Sequence, residues 1–229
     1  MSDLTVLYYT SNKIREPFGE RVREILLKAI GNLPLVSVSQ KPMSFGRNIC
    51  IGEIGKSFLN IYRQILAGAK EVQTEYVAFA EDDVLYPTEH FTVFRPPQGS
   101  IAYDVSKWSI YTWSRPPLYS FKNRVRTNTS CLAPTKLIVE ALEERFAKFP
   151  DAKEPPKYWA EIGKFDRYLG VKEWPVVEYT CDVPHVVFSH EDAVGFEYIG
   201  KRKRPGFLKA YDIPYWGKAE DIMKLWKED

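Results

Sequence analysis

The run Tyr76-Val77-Ala78-Phe79-Ala80 is apolar throughout and is followed at once by three carboxylates, Glu81-Asp82-Asp83. A short apolar run of this kind, bounded by charge, reads as a strand covered on both faces, as parallel strands in α/β proteins are. Two earlier runs, Leu4 to Thr10 and Leu35 to Val38, read the same way. Between the three lie helical patterns. Val22, Ile25, Leu26, Ala29 and Ile30 recur at spacings of three and four before Gly31-Asn32. Phe58, Ile61, Tyr62, Ile65, Leu66 and Ala69 do so before strand three, with Gly68 marking the predicted helix end. The order β-α-β-α-β predicts an α/β fold: a Rossmann-type, mostly parallel sheet with helices on both faces. Ligands of such sheets collect at the carboxyl ends of the strands. That rule aligns Tyr9-Thr10-Ser11, the loop after strand two and Glu81-Asp82-Asp83 along one edge.

The second half reads as less regular. Residues 96–126 are rich in Pro, Trp, Tyr and Arg, and a helix is predicted over 135–149, capped by Thr135 after Pro134. Residues 153–156 break the chain, 158–169 are partly helical in pattern, and 174–188 hold one or two strands. The expected organisation is one domain over 1–229. Its parts are a ligand-binding half (1–95), an acceptor-side half (96–200) and a basic tail (201–229). The 32 Lys and Arg nearly balance 30 Asp and Glu, for a formal charge of +2. That excludes a histone-like protein and an acidic disordered one, but not a local basic patch. No apolar run approaches the roughly 20 residues of a membrane span. Cys50, Cys131 and Cys181 are odd in number and far apart, which argues against a disulfide framework or a CxxC zinc site. With no secretory pattern at the start of the sequence, a cytoplasmic protein is expected.

Three adjacent carboxylates at a strand end repel one another and lose hydration, unless a cation or solvent offsets both. A hard divalent ion does so and bridges to a diphosphate; a solvated acidic strand end is the plain alternative. The stretch Tyr76 to Tyr86, YVAFAEDDVLY, resembles the nucleotide-sugar strand of GT-A glycosyltransferases, whose acidic DxD motif holds Mn²⁺ or Mg²⁺ against the donor diphosphate. The match here is Glu81-x-Asp83, with Glu in place of the first Asp. The resemblance implies a UDP-sugar donor, Asp83 as metal ligand, and Glu81 on the ribose or on the metal through water, with Asp82 beside them. It also implies a downstream His that completes the metal shell. His190 in Pro184-His-Val-Val-Phe-Ser-His-Glu-Asp192 matches best, with His185, His90 and Asp192 as alternatives. The absent QxxRW signature argues against a processive polysaccharide synthase.

The segment Gly46 to Ser57 is similar to the loop and helix start that precede the acidic strand in some of these transferases. Helix-start amides with Arg47, Lys56 and Ser57 suit a diphosphate, as Tyr9 and Thr10 do across the edge. Gly55-Lys56-Ser57 also matches the end of a nucleoside-triphosphatase phosphate loop, but that motif needs Gly at position 50, where Cys50 stands. Inverting transfer to a hydroxyl needs a carboxylate base. Glu161 and Asp166 are the candidates, Glu161 favoured by a Glu-x-Gly segment that recurs at this place in similar transferases. Between Val105 and Thr135, basic residues interleave with rings and there is no acid. Trp108, Trp113, Arg115, Arg124 and Arg126 are therefore candidate acceptor contacts, for a sugar or for a flipped base on a phosphate backbone. The acceptor hydroxyl is expected on a glycan or on a hydroxymethylated pyrimidine in DNA, as in phage-type DNA glucosylation. The basic Lys201 to Arg204 cluster supplies phosphate contacts in the second case. The rival from another class is a non-enzymatic nucleic-acid-binding module built on residues 105–135.

Overall fold

The computed structural model describes residues 2–113, 125–191, 193 and 212–227, and residues 119–121 through their backbone. The first half runs β1 (Leu4–Thr10), α1 (Phe18–Ile30), β2 (Leu35–Ser39), β3 (Arg47–Cys50), α2 (Phe58–Ala69) and β4 (Tyr76–Glu81). There follow β5 (Val84–Leu85), α3 (Glu89–Thr92), β6 (Ile101–Asp104), β7 (Lys107–Tyr111), β8 (Tyr119–Phe121), β9 (Cys131–Pro134) and α4 (Thr135–Lys148). The last elements are α5 (Asp166–Leu169), β10 (Val176–Tyr179), β11 (His185–Ser189), β12 (Asp212–Ile213), β13 (Gly217–Lys218) and α6 (Ala219–Lys227).

A seven-stranded sheet in the order β10-β6-β9-β4-β1-β2-β3 forms the centre. The neighbours β3, β2, β1 and β4 run parallel, as does β10 with β6, whereas β9 is antiparallel to both β4 and β6. The expected mostly parallel α/β sheet is what the chain forms. Strand alternation explains how both faces are covered. Leu7, Tyr9, Val77 and Phe79 pack with Tyr62, Ile65 and Ala69 of α2 and Leu137, Ile138 and Ala141 of α4. Val6, Tyr8, Ala78 and Ala80 point the other way, onto Leu26, Ala29 and Ile30 of α1.

Four details refine the sequence reading. Part of the loop after strand two is itself a strand, β3, paired with β2 from Val36–Arg47 to Ser39–Cys50. Gly68 is the last residue but one of α2, at the expected helix end. A Cβ there would stand 2.3 Å from a Leu7 methyl and 2.7 Å from one of Val38, so the glycine lets helix and sheet approach closely. Pro134 occupies the cap position of α4, and the Thr135 hydroxyl instead donates to the Thr74 carbonyl at 2.9 Å. The second half is more regular than its composition suggests. It supplies three strands of the central sheet, and with β5 it forms a second sheet, β5-β11-β7-β8. The apolar layer behind that second sheet joins Ile110, Val186 and Phe188 to Phe18 and Val22 of α1 and to Ile222 and Met223 of α6.

Candidate active site

At the carboxyl end of β1 and β4, register pairs Tyr9 with Glu81, so each side chain of the edge meets a partner on the next strand. The Tyr9 hydroxyl donates to Glu81 Oε1 and the Thr10 hydroxyl to Asp82 Oδ2. The Tyr86 hydroxyl accepts the Glu81 backbone N–H at 3.0 Å. Tyr9 and Thr10, expected to face a donor molecule, are buried and commit their hydroxyls to these carboxylates. Among the described residues no Lys or Arg forms an ion pair with any of the three acids. Burial raises the Glu81 carboxyl to about 8, with the charges of Asp83 and Asp82 adding to it and the Tyr9 hydrogen bond opposing. Asp82 is raised to about 6 by burial and by Asp83, while Thr10 and His190 hold it down. The cluster is thus overcharged for its surroundings.

His190 Nε2 lies 3.3 Å from Asp83 Oδ2. Of the three histidines the sequence offered, this is the one brought to the acidic edge. Asp83 Oδ1 is buried and has no hydrogen-bond partner among the described residues. An orphaned carboxylate oxygen, an imidazole against the same carboxylate and two neighbouring acids short of cations form a donor set that fits a divalent ion. The His190 ring leans on Trp226 of α6, centroids 5.0 Å apart, and the Arg15 guanidinium lies 4.7 Å over that indole. Neither Trp226 nor Arg15 stood out in the sequence. A residue over 200 positions from Arg15 reaches this edge only through the packing of α6 on α1.

Loops on the same edge are tied down by side-chain amides. Asn12 Oδ1 accepts the N–H groups of Gln40 and Lys41, both at 2.8 Å. Gln40 in turn accepts the N–H groups of Ile54 and Gly55 at 3.0 Å. Ser57 caps α2 by accepting the Asn60 N–H at 3.1 Å, and exposed Lys56 precedes it at this end of the sheet. Arg47 is not brought here. It sits at the start of β3, toward the opposite end of the sheet, and pairs with Glu71.

The two candidate bases separate. Asp166 is 3% exposed; one oxygen pairs with the buried Arg145 guanidinium and the other accepts the Gly163 N–H at 2.7 Å. A carboxylate so occupied is held in the core, which withdraws Asp166 as a base. Glu161 stays partly exposed and lies 3.1 Å from Lys164 Nζ. Its neighbours Trp159 and Ile162 pack with Tyr9, Phe79 and Tyr62 on the α2–α4 side of the central sheet, so the segment carrying Glu161 lies on that side.

The proposed acceptor stretch is divided too. Trp108 belongs to β7 and, partly buried, packs against the layer behind the second sheet. Trp113 is 48% exposed. Arg126 pairs with Glu178 of β10 at 2.7 Å. Arg115, Arg124, Asp192 and the Lys201 to Arg204 cluster lie outside the described residues. Lys107, counted as part of the basic stretch, is buried with its ammonium on the Thr127 hydroxyl. No helix among the described residues is long and apolar enough to cross a membrane.

No protein-family profile matches the chain, and no curated protein does. Among solved structures it is similar to a glycosyltransferase involved in glycosylation of the major capsid of PBCV-1, at 12% identity and a TM-score of 0.44, over 80% of this chain and 91% of that one. It is also similar to TarS of S. aureus, at 11% and 0.46, over 81% of this chain and 36% of that one. A third is the bifunctional IspDF of Campylobacter jejuni, at 10% and 0.44, over 79% of this chain and 50% of that one. The chain thus spans about a third to a half of the last two proteins. Likenesses this remote do not specify an activity, and the functional reading rests on the site itself.

Proposed function

We propose that the chain is a metal-dependent glycosyltransferase that moves a sugar from a nucleotide-sugar, a UDP-sugar, to an acceptor hydroxyl. One observation carries the reading: three carboxylates, Asp83 buried and the other two partly so, stand at the carboxyl end of a parallel strand with no ion-paired Lys or Arg among the described residues and with His190 on Asp83. Asp83 and His190 would hold the divalent ion, Mn²⁺ or Mg²⁺, and when bound it supplies positive charge for the diphosphate leaving group. Asp82 and Glu81, oriented by Thr10 and Tyr9, would accept hydrogen bonds from the donor's ribose or help to hold the ion through water. Lys56 and the capped start of α2 favour the diphosphate's negative charge. Glu161 takes the proton from the acceptor hydroxyl in an inverting transfer, and exposed Trp113 offers a face for a sugar ring or a base. A cytoplasmic setting fits a soluble nucleotide-sugar supply.

The test is thermal melting with UDP and Mn²⁺, followed by UDP release from a panel of UDP-sugars. A donor that binds must raise the melting temperature by mass action; no shift at millimolar UDP with Mn²⁺ rejects the donor assignment. Mass spectrometry of products on glycans and on hydroxymethylcytosine and hydroxymethyluracil DNA then identifies the acceptor. DNA binding with a steep salt dependence and no UDP release would favour the non-enzymatic module instead. Glu161→Gln should lower turnover by roughly 10²–10⁴-fold with donor affinity unchanged, and full activity in that variant removes Glu161 from the role of base.

A further inference from the structure

Behind the acidic edge lies a second group of metal-ligating side chains that the proposed reaction does not use. His90 of α3, Asp104 at the end of β6 and His185 at the start of β11 each present one donor atom, all within 4.8 Å of one another. The three residues are 0%, 0% and 1% exposed. His185 Nδ1 stands 3.6 Å from Asp104 Oδ2, too far for a hydrogen bond, and the two imidazole rings meet edge-on with centroids 4.5 Å apart.

The hydrogen bonds around this group are lopsided. Asp104 Oδ1 accepts from the Ser106 N–H at 2.8 Å and from the Ser106 hydroxyl, whereas Oδ2 has no partner. His90 Nδ1 meets the Tyr179 hydroxyl at 3.2 Å, whereas Nε2 has none. Neither ring nitrogen of His185 completes a hydrogen bond among the described residues, although the Ser106 backbone lies near the ring. Buried polar atoms are rarely left bare, and here the bare ones converge. The far side of a ligand tied to a hydroxyl or backbone group while the near side faces its neighbours is the arrangement that orients metal ligands.

We propose that His90, Asp104 and His185 form a structural transition-metal site, a zinc centre, distinct from the Asp83–His190 pair. Two imidazoles and one carboxylate suit Zn²⁺ better than Ca²⁺ or Mg²⁺, which prefer all-oxygen shells. Zinc bonds of ~2.0–2.2 Å space tetrahedral ligand atoms roughly 3.4 Å apart, so the widest spacing of the group, at most 4.8 Å, has to contract by up to about 1.4 Å, within reach of side-chain rotations. Lys107, opposite His185 in register, is the cation on this side, and its ammonium is turned to Thr127.

The site would fasten β6 of the central sheet to β11 of the second sheet and to the short helix α3. It would also steady the acidic edge. The Tyr86 ring packs edge-on against His185, centroids 5.2 Å apart, and its hydroxyl accepts the Glu81 N–H. His190 is five residues beyond His185 along the chain, roughly 16 Å at the rise of a strand, so the two sites cannot share one ion.

The experiment is metal analysis by mass spectrometry of the full chain, expressed with added zinc and desalted, for the wild type, Asp83→Asn and His185→Gln. About one equivalent of zinc is expected in the wild type and in Asp83→Asn, and less than about a tenth in His185→Gln. A zinc-free wild type overturns the proposal, as does zinc lost in Asp83→Asn but kept in His185→Gln. If His185→Gln does not fold, Co²⁺ taken up by the wild type and by Asp83→Asn decides. Strong visible absorption of four-coordinate Co²⁺ in both supports the site; weak six-coordinate absorption, or no uptake, overturns it.

Discussion

The acidic end of β4 and the Arg145–Asp166 pair under α4 are both places where carboxylates leave water, yet they solve the problem in opposite ways. Asp166 has its own guanidinium, a backbone N–H on its other oxygen, and almost no exposure. Arg145 also donates to the Ala160 carbonyl at 2.7 Å and lies 5.6 Å from the rings of Tyr62 and Trp159. This pair holds the segment carrying Glu161. Glu81, Asp82 and Asp83 have hydroxyls and one imidazole but no ion-paired Lys or Arg among the described residues, and two of them are pushed to higher pKa. A carboxylate matched to a cation from its own chain serves folding. A cluster left short of charge is ready for a cation from outside.

The comparison is broken most forcefully at Arg145. Arg145→Met leaves Asp166 buried and unpaired and should cost about 3–5 kcal/mol in denaturant unfolding. A loss below about 1 kcal/mol would show that the pair is not what holds this segment. Asp83→Asn is expected to do the reverse. Intrinsic stability should hold or rise as a repelling charge is removed, while UDP with Mn²⁺ at 100 times Kd loses its stabilisation of about 2.7 kcal/mol. Retained stabilisation in that variant would move the metal elsewhere.

The pH dependence sharpens the contrast. Glu81 and Asp82 have folded pKa values above their unfolded ones, so the folded chain binds more protons between about 4.5 and about 8. Their contribution is fully present below that window and is lost as pH rises through it. His90 and His185 act with the opposite sign: burial lowers both, His185 to about 3, so they destabilise the fold only as pH falls below the ordinary histidine value. Between pH 7 and about pH 8 the carboxylate effect dominates, and above that the buried Cys131 and Cys181 thiols, also raised by burial, add a loss of the same sign. Without Mn²⁺ the melting temperature should fall between pH 7 and pH 8.5, and added Mn²⁺ should flatten that fall. A flat profile without Mn²⁺ would contradict the overcharged edge. The smallest effect belongs to Tyr9→Phe, which removes the hydrogen bond to Glu81. It should cost about 0.5–1.5 kcal/mol and move the midpoint of that pH fall upward, whereas an unchanged midpoint would mean the bond does not tune Glu81.

The parallel core of the fold was legible because periodicity is a local property. Apolar strands β1, β2 and β4 and the stripes of α1 and α2 are written in consecutive residues, and the edge rule then located Glu81 to Asp83 without coordinates. Strands β10 and β11 fall in the stretch 174–188 expected to hold one or two strands, but β6 and β9 were harder, since β9 enters antiparallel between β4 and β6 and its run Cys131 to Pro134 is only four residues long. The fate of single polar residues was not legible at all. Asp166 and Glu161 look alike in sequence, and only the arrival of Arg145 from α4, some 20 positions away, buries one and leaves the other near solvent. Arg47 looked like a diphosphate ligand until β3 carried it to the far end of the sheet beside Glu71. His90, Asp104 and His185 come from three segments spread over nearly 100 residues.

Local residue order is enough to dictate the strand-helix alternation, the burial of the parallel strands on both faces and the acidic edge, because each follows from residues within one or two turns or strands of one another. Which His meets Asp83, which carboxylate is neutralised by a guanidinium, and the closing of Trp226 over His190 are set by packing between distant segments. Those outcomes depend on distances between segments far apart in the chain. They are fixed when packing brings the segments together and each buried charge or polar atom either finds a partner or is left without one.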